Sequence, residues 1–347
     1  KLDEYDYTTT CRVAQYFYEH EEDEEIILQT HSRGKGINLV FLGDGFNAEN
    51  ISNGDYLRVM NEQMERFFDI EPYRTYRDYF NVSTAIAVSQ ESGIGTVNTI
   101  RRTKFETTFA GGVGLRGDYS AIFDYAMKVS SVDESNLNQS LIIVTPNTID
   151  YGGITEMWED GSAIAFCPLS EDTYPYDARG IIQHEAGGHG FGKLGDEYIY
   201  HNGFIEFCCP LDFATLNYGK SLGWYENLSL TGKMHEVPWS HLIFDDRYSD
   251  VVDIYEGGFK HARGVFRSEQ NSCMNNNISY FSAISREAIV KRIMEYAGES
   301  YSFEKFVEND KRDAVNSLSR SAERRGVTVR GNQYAPRIHK GKPDILK

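Results

Sequence analysis

His184 and His189, with Glu185 beside the first and the pair Asp196-Glu197 a few residues on, are residue types that bind a divalent ion and activate water. They fall in one run, His184 to Tyr198, reading HEAGGHGFGKLGDEY. Imidazole nitrogens and a carboxylate oxygen make a three-ligand zinc shell whose fourth position is left to water. A further carboxylate next to the first histidine can take that water's proton. The chemistry to expect is hydrolysis assisted by one catalytic Zn2+, with Glu185 as general base.

The spacing sets a structural condition. In the familiar H-E-x-x-H signature the histidines are four apart on a helix and share a face; here they are five apart. At roughly 100° per residue an i,i+4 pair is offset by about 40° around the axis and an i,i+5 pair by about 140°. A regular α-helix would therefore aim His184 and His189 at opposite flanks. A π-type turn, with its i→i+5 hydrogen bond, inserts one residue and returns them to one face. Gly187 and Gly188 lie where that bulge must form. Each costs a helix about 1 kcal/mol relative to alanine, so the pair answers a constraint stronger than helix propensity. A glycine-rich loop with two ordinary histidines is the plainer reading of the motif in isolation, and its flanks argue against it. Ile181 and Ile182 suit a buried helix entry, while Gly190, Gly192 and Gly195 suit a sharp turn towards a third ligand. Asp196 and Glu197 both qualify for that place; the other acid would orient a histidine from behind.

The elements that must position this run can be read along the chain. Ile37 to Leu42, Phe80 to Val88, Leu141 to Thr145 and Ser162 to Phe166 read as strands, and Glu25 to Gln29 and Arg12 to Tyr18 as shorter ones. Leu57, Met60, Met64, Phe67 and Phe68, and later Tyr119, Ile122, Phe123, Ala126 and Met127, recur at helical spacing. Alternating strands and helices predict an α/β layer with helices covering a sheet. Tyr200 to about Val265 reads as long and irregular. Ser285 to Tyr296 reads as a helix capped by Ser285, and the stretch from Arg324 to Lys347 as a basic, draped tail.

Composition bounds the rest. At 347 residues, with 40% hydrophobic and 25% charged residues, the chain can bury a sizeable core as one large or two ordinary domains. A net charge of −17 argues against a nucleic-acid partner, which wants clustered cations. No run approaches the ~18 apolar residues of a membrane span. The chain starts at Lys1 without the basic and apolar regions of a signal peptide, which is compatible with a removed export signal. Five cysteines without C-x-x-C spacing do not make a disulfide scaffold. The adjacent Cys208 and Cys209 are read as buried or free thiols in preference to a loop disulfide.

The run from His184 to Tyr198 resembles the IgA-peptidase-type zinc metallopeptidases, a family among the metzincin-like zincins, with a variant H-E-x-x-x-H motif. The Gly43-Asp44-Gly45-Phe46 turn after the first sheet strand, the Phe80 to Gly95 stretch, and Met274 in its Ser-Cys-Met-Asn setting resemble the same family. The resemblance implies an α/β (α+β) zincin-like fold: a mixed twisted sheet with covering helices, a zinc helix with its bulge, a Met-turn and a loop-rich lower subdomain. The catalytic domain would span 36–300, with its upper part at 36–190 and its lower part at 191–300. Residues 1–35 would be an extension or hairpin, and 301–347 a helical segment and tail.

Metzincins favour a short third ligand, so Asp196 is preferred, with Glu197 the alternative. Their third ligand stands six residues past the second histidine, where this chain has Gly195 and reaches Asp196 only at seven. Met274 would form an apolar floor under the metal, and Arg267 and Glu269 an ion pair bracing its turn. Tyr198 and Tyr280 are candidate oxyanion donors. An extended peptide or protein substrate would add along an edge strand between Tyr151 and Phe166. The expected activity is zinc metalloendopeptidase, placed outside the cytoplasm: periplasmic, cell-surface or secreted. Two other readings stay open, a zinc amidohydrolase acting on a non-protein amide and an inert binding protein on a zincin scaffold. The oligomeric state is unread.

Overall fold

Two largely apolar strands anchor the architecture: β2 (Ile37–Asp44) and β6 (Leu141–Pro146), every residue of which is buried. Such runs belong in the middle of a sheet covered on both faces. The computed structural model describes residues 20–312 and 335–346, and in it these two strands pair in parallel at the centre of a seven-stranded sheet. Outward on one side lie β3 (Phe80–Ala85) and β1 (Glu25–Gln29). The short hairpin β4 (Thr108–Phe109) and β5 (Leu115–Arg116) stands apart. On the other side of β6 come β8 (Ala163–Phe166), β7 (Ile154–Trp158) and, last, a strand at Arg337–His339. The β8–β7 and β1–β3 pairs are antiparallel and the other pairs parallel, so the sheet is mixed and the fold α+β.

Strand alternation sorts the core into two layers. Leu39, Phe41, Leu141 and Ile143 face one side, together with helices Asp55–Phe68 and Ala283–Ala297. Val40, Leu42, Ile142 and Val144 face the other, covered by helix Tyr119–Ala126. The first layer contains the His184 segment. Where that segment crosses β8 the sheet presents only Ala163 and Ala165, small residues that let a glycine-rich helix approach closely.

A four-stranded sheet lies beyond the His184 segment: β9 (Ile199–Phe204), β10 (Leu228–Ser229), β11 (Tyr255–Gly258) and β12 (Lys260–Arg267), with β12 pairing all three others. Together with helix Pro210–Ser221 it replaces the irregular stretch expected from Tyr200 to Val265. The helix escaped notice because it buries only Leu216 and Gly219 and so carries no apolar stripe.

Two further expectations change. The helix read from Ser285 starts at Ala283 after Ser282, and Ser285 lies one turn inside, buried, its Oγ 2.8 Å from that of Ser282. The draped tail includes a strand instead, β13 (Arg337–His339), parallel to β7. It is held there because Glu156 of β7 is a fully buried carboxylate that accepts from Tyr119, Arg337 and His339. The strand read at Arg12 to Tyr18 and the tail segment 324–334 lie outside the described residues.

Candidate metal centre

Asp177 caps a short α-helix, Ala178–Ile182, by accepting from the Gly180 backbone N–H. The chain then changes register and runs as a π-helix from Gln183 to Phe191, longer than the single bulge expected from the spacing. Three contacts explain why glycine occupies this helix. A Cβ on Gly187 would meet Tyr73 Cε2 at 3.1 Å, where the Tyr73 hydroxyl donates to the Gly187 carbonyl at 2.6 Å. A Cβ on Gly188 would come within 2.2 Å of Met274 Sδ, and one on Gly190 within 2.7 Å of Leu141 Cδ1. The i→i+5 register puts His184 and His189 on one face, ring centroids 4.7 Å apart.

After Gly192 the chain turns back, and Asn227 fixes the return by bonding both the N–H and the carbonyl of Gly195 at 2.8 Å. Asp196 is thereby set against the histidines: its Oδ1 lies 3.1 Å from Nε2 of His184 and 3.1 Å from Nε2 of His189. Ligands bound at about 2.0–2.1 Å around a tetrahedral ion stand roughly 3.3 Å apart, so this donor set fits a zinc-sized ion. The other imidazole nitrogens are held by backbone carbonyls, His184 Nδ1 by Cys273 at 2.9 Å and His189 Nδ1 by Leu194 at 2.7 Å. Each bond places the proton on Nδ1 and leaves Nε2 with its lone pair turned inward. Asp196 Oδ2 is buried without a hydrogen-bond partner, a second oxygen free for an ion.

Glu185, on the same π-helix, lies against β7. Thr155 Oγ1 is 2.9 Å from Glu185 Oε2 and equally close to the Glu185 carbonyl, and a Cβ on Gly153 would touch the Glu185 side chain. Burial raises the Glu185 carboxyl to about 7, against the pull of His184.

Glu197 points away from the histidines. Its Oε1 accepts from Asn227 at 2.9 Å and its Oε2 from Ser272 at 2.5 Å, while its backbone N–H donates to the Met274 carbonyl. Ser272 caps the short turn Cys273–Asn276 that carries fully buried Met274. The pair of Arg267 and Glu269 does not form. Arg267 donates to the Glu256 and Gly257 carbonyls, a use for the Glu256-Gly257-Gly258 segment that its sequence does not disclose. Glu269 accepts from the Tyr280 hydroxyl and the Ala283 N–H. Tyr280 is thus engaged by Glu269, whereas Tyr198 lies face to face with His184 and its buried hydroxyl has no hydrogen-bond partner.

Sequence reasoning missed Thr155, Asn227, Ser272 and Tyr73, each of which holds a neighbour of the cluster. The available signals were slight: Thr155 stands beside Glu156 in the short strand Ile154–Trp158, and Ser272 opens the Ser-Cys-Met-Asn run.

A buried His-His-Asp cluster with a carboxylate next to its first histidine is the kind of centre hydrolases use. The chain belongs to the IgA Peptidase M64 family, whose profile matches residues 26–211, and it is a peptidase by that membership. The matched span takes in His184, Glu185, His189 and Asp196 and stops short of Met274. No curated protein matches the chain. Among the described residues no helix is long and apolar enough to cross a membrane.

Proposed function

We propose that the chain is a zinc-dependent endopeptidase in which His184, His189 and Asp196 hold one Zn2+ and Glu185 is the general base. The observation that carries this reading is the convergence of two Nε2 atoms and one carboxylate oxygen, all ligand atoms within 4.8 Å of one another, beside a second buried acid, Glu185. An ion held there would polarise the scissile carbonyl and lower the pKa of water to about 7. Glu185 takes the proton of the attacking water and passes it to the leaving amine, and Thr155 fixes the direction in which its carboxylate points. Tyr198, buried and unpartnered, is the donor for the developing oxyanion, and Met274 is the apolar floor beneath the histidines.

The substrate is an extended peptide laid along β7. β13 pairs with Glu156, Met157 and Trp158, and among the described residues Ile154 and Thr155, both buried and nearer Glu185, have no strand partner on that side. Main-chain pairing there brings a scissile bond towards the base with little dependence on side chains. A peptidase of this kind works outside the cytoplasm.

Metal analysis of the purified protein, paired with hydrolysis of an unstructured protein with and without chelator, tests the reading. Zinc held at the His184–His189–Asp196 cluster, lost in His184→Ala/His189→Ala, and chelator-sensitive cleavage at internal bonds are expected. A protein without metal, or with zinc and no cleavage of any peptide, would sink it.

A further inference from the structure

A second group of metal-type donors lies in the sheet beyond the catalytic cluster. The Cys208 and Cys209 sulfurs, at the end of helix Ile205–Cys208, are 3.4 Å apart, and His261 Nδ1 on β12 is 3.4 Å from Cys208 Sγ. All three donor atoms lie within 4.8 Å of one another. Bonds of about 2.3 Å to sulfur and about 2.0–2.1 Å to nitrogen around a tetrahedral ion separate such donors by roughly 3.6 Å, close to what is observed.

The histidine is oriented for this task. His261 is fully buried, and its Nε2 faces Asp212 Oδ2 at 2.9 Å, so that nitrogen carries the proton and Nδ1 turns its lone pair to the sulfurs. A carboxylate behind a histidine is the usual arrangement around a metal-bound imidazole. Lys260 donates to the other oxygen of Asp212 and keeps that carboxylate in place. Cys208 is exposed, which leaves a coordination position open to solvent.

We propose that Cys208, Cys209 and His261 form a second metal site, taking a thiophilic ion of the Zn2+ type and separate from the His184–His189–Asp196 centre. Two thiolates and an imidazole select soft or borderline ions over Mg2+ or Ca2+. Binding releases the two thiol protons to solvent and forms two metal–sulfur bonds and one metal–nitrogen bond. The ion cross-links helix Ile205–Cys208 to β12. The chain just before and at the start of β12 is in turn bonded to the catalytic run: the Phe259 N–H donates to the Asp196 carbonyl at 2.7 Å and the Lys260 N–H to the Tyr198 carbonyl at 2.9 Å. The second ion therefore braces the loop that carries Asp196.

Cobalt titration of the reduced full chain tests the site independently of the catalytic reading. Co2+ bound by thiolate shows a ligand-to-metal charge-transfer band in the near ultraviolet, and the His184–His189–Asp196 cluster contains no sulfur to produce one. The expected result is a band that appears in the parent chain, saturates at one equivalent in the double variant His184→Ala/His189→Ala, and disappears in Cys208→Ser/Cys209→Ser. Bound zinc should fall by one ion per chain in the serine variant. Because both thiols are at the surface, that variant is expected to fold, which circular dichroism checks. Absence of the band in the parent chain, or its survival in the serine variant, overturns the site.

Discussion

Asp196 and Glu197 are neighbours in sequence and face opposite ways. Asp196 Oδ1 lies 3.1 Å from Nε2 of both histidines, while the Glu197 carboxylate is held by Asn227 and Ser272 on the far side of the chain. Their substitutions should therefore separate. Asp196→Ala is expected to lose the zinc of the His184–His189 cluster, one ion per chain fewer than the parent. Glu197→Gln should keep the ion and lower unfolding free energy by about 1–3 kcal/mol, the cost of leaving a buried polar group unmatched. Zinc content and denaturant titration of both variants check this; zinc retained in Asp196→Ala and lost in Glu197→Gln would reverse the assignment.

Glu185 touches no other member of the cluster by hydrogen bond and is steadied by Thr155. Glu185→Gln is expected to keep zinc and to lower kcat by about 10²–10⁴, the usual contribution of a general base. Thr155→Val should keep zinc and lower kcat by roughly tenfold with little change in KM, since it loosens the base without removing it. Steady-state kinetics on one peptide substrate decides both, and parent-like kcat in Glu185→Gln removes the base.

Gly188 faces Met274 with no room for a methyl group. Gly188→Ala should force the methionine or the π-helix to move, costing about 1–3 kcal/mol as overpacking does and weakening zinc affinity with it. Combining it with Met274→Ala, which opens the space, should recover part of the affinity lost. Thermal melts and a competitive zinc titration read the two effects, and an additive double variant would show that the contact does not couple them.

Glu269 gives a pH signature. Burial raises its carboxyl from 4.5 to about 7, against the pull of Arg286. Between those values the folded chain holds a proton that the unfolded chain has lost, so this group's contribution to stability falls as pH rises through the window and has no effect below it. The stability of the parent relative to Glu269→Gln should decline from about pH 4.5 to about pH 7. Denaturation of both proteins across that range measures the difference directly, and a flat difference excludes the linkage.

The sequence by itself marked His184, Glu185 and His189 as candidates and determined the local geometry that an i,i+5 pair needs to share a face. His184, Glu185 and His189 are legible because an i,i+5 spacing has one way to share a face, and two glycines stand where the helix must depart from α. The central strands and the helices Asp55–Phe68 and Tyr119–Ala126 are legible because full burial and amphipathic packing leave periodic patterns.

Only the tertiary structure decided what depends on contacts between distant segments. The choice between Asp196 and Glu197 rests on Asn227 and Ser272, 30 and 75 residues beyond Glu197. The capped end of β7 rests on Arg337 and His339, about 180 residues from Glu156. The same is true of the pairing of Cys208 with His261, since a spacing of 53 residues carries no metal signature until β9 and β12 bring the side chains together. Local sequence sets which way a backbone can turn; the packing of remote elements sets which of two adjacent carboxylates the turn delivers.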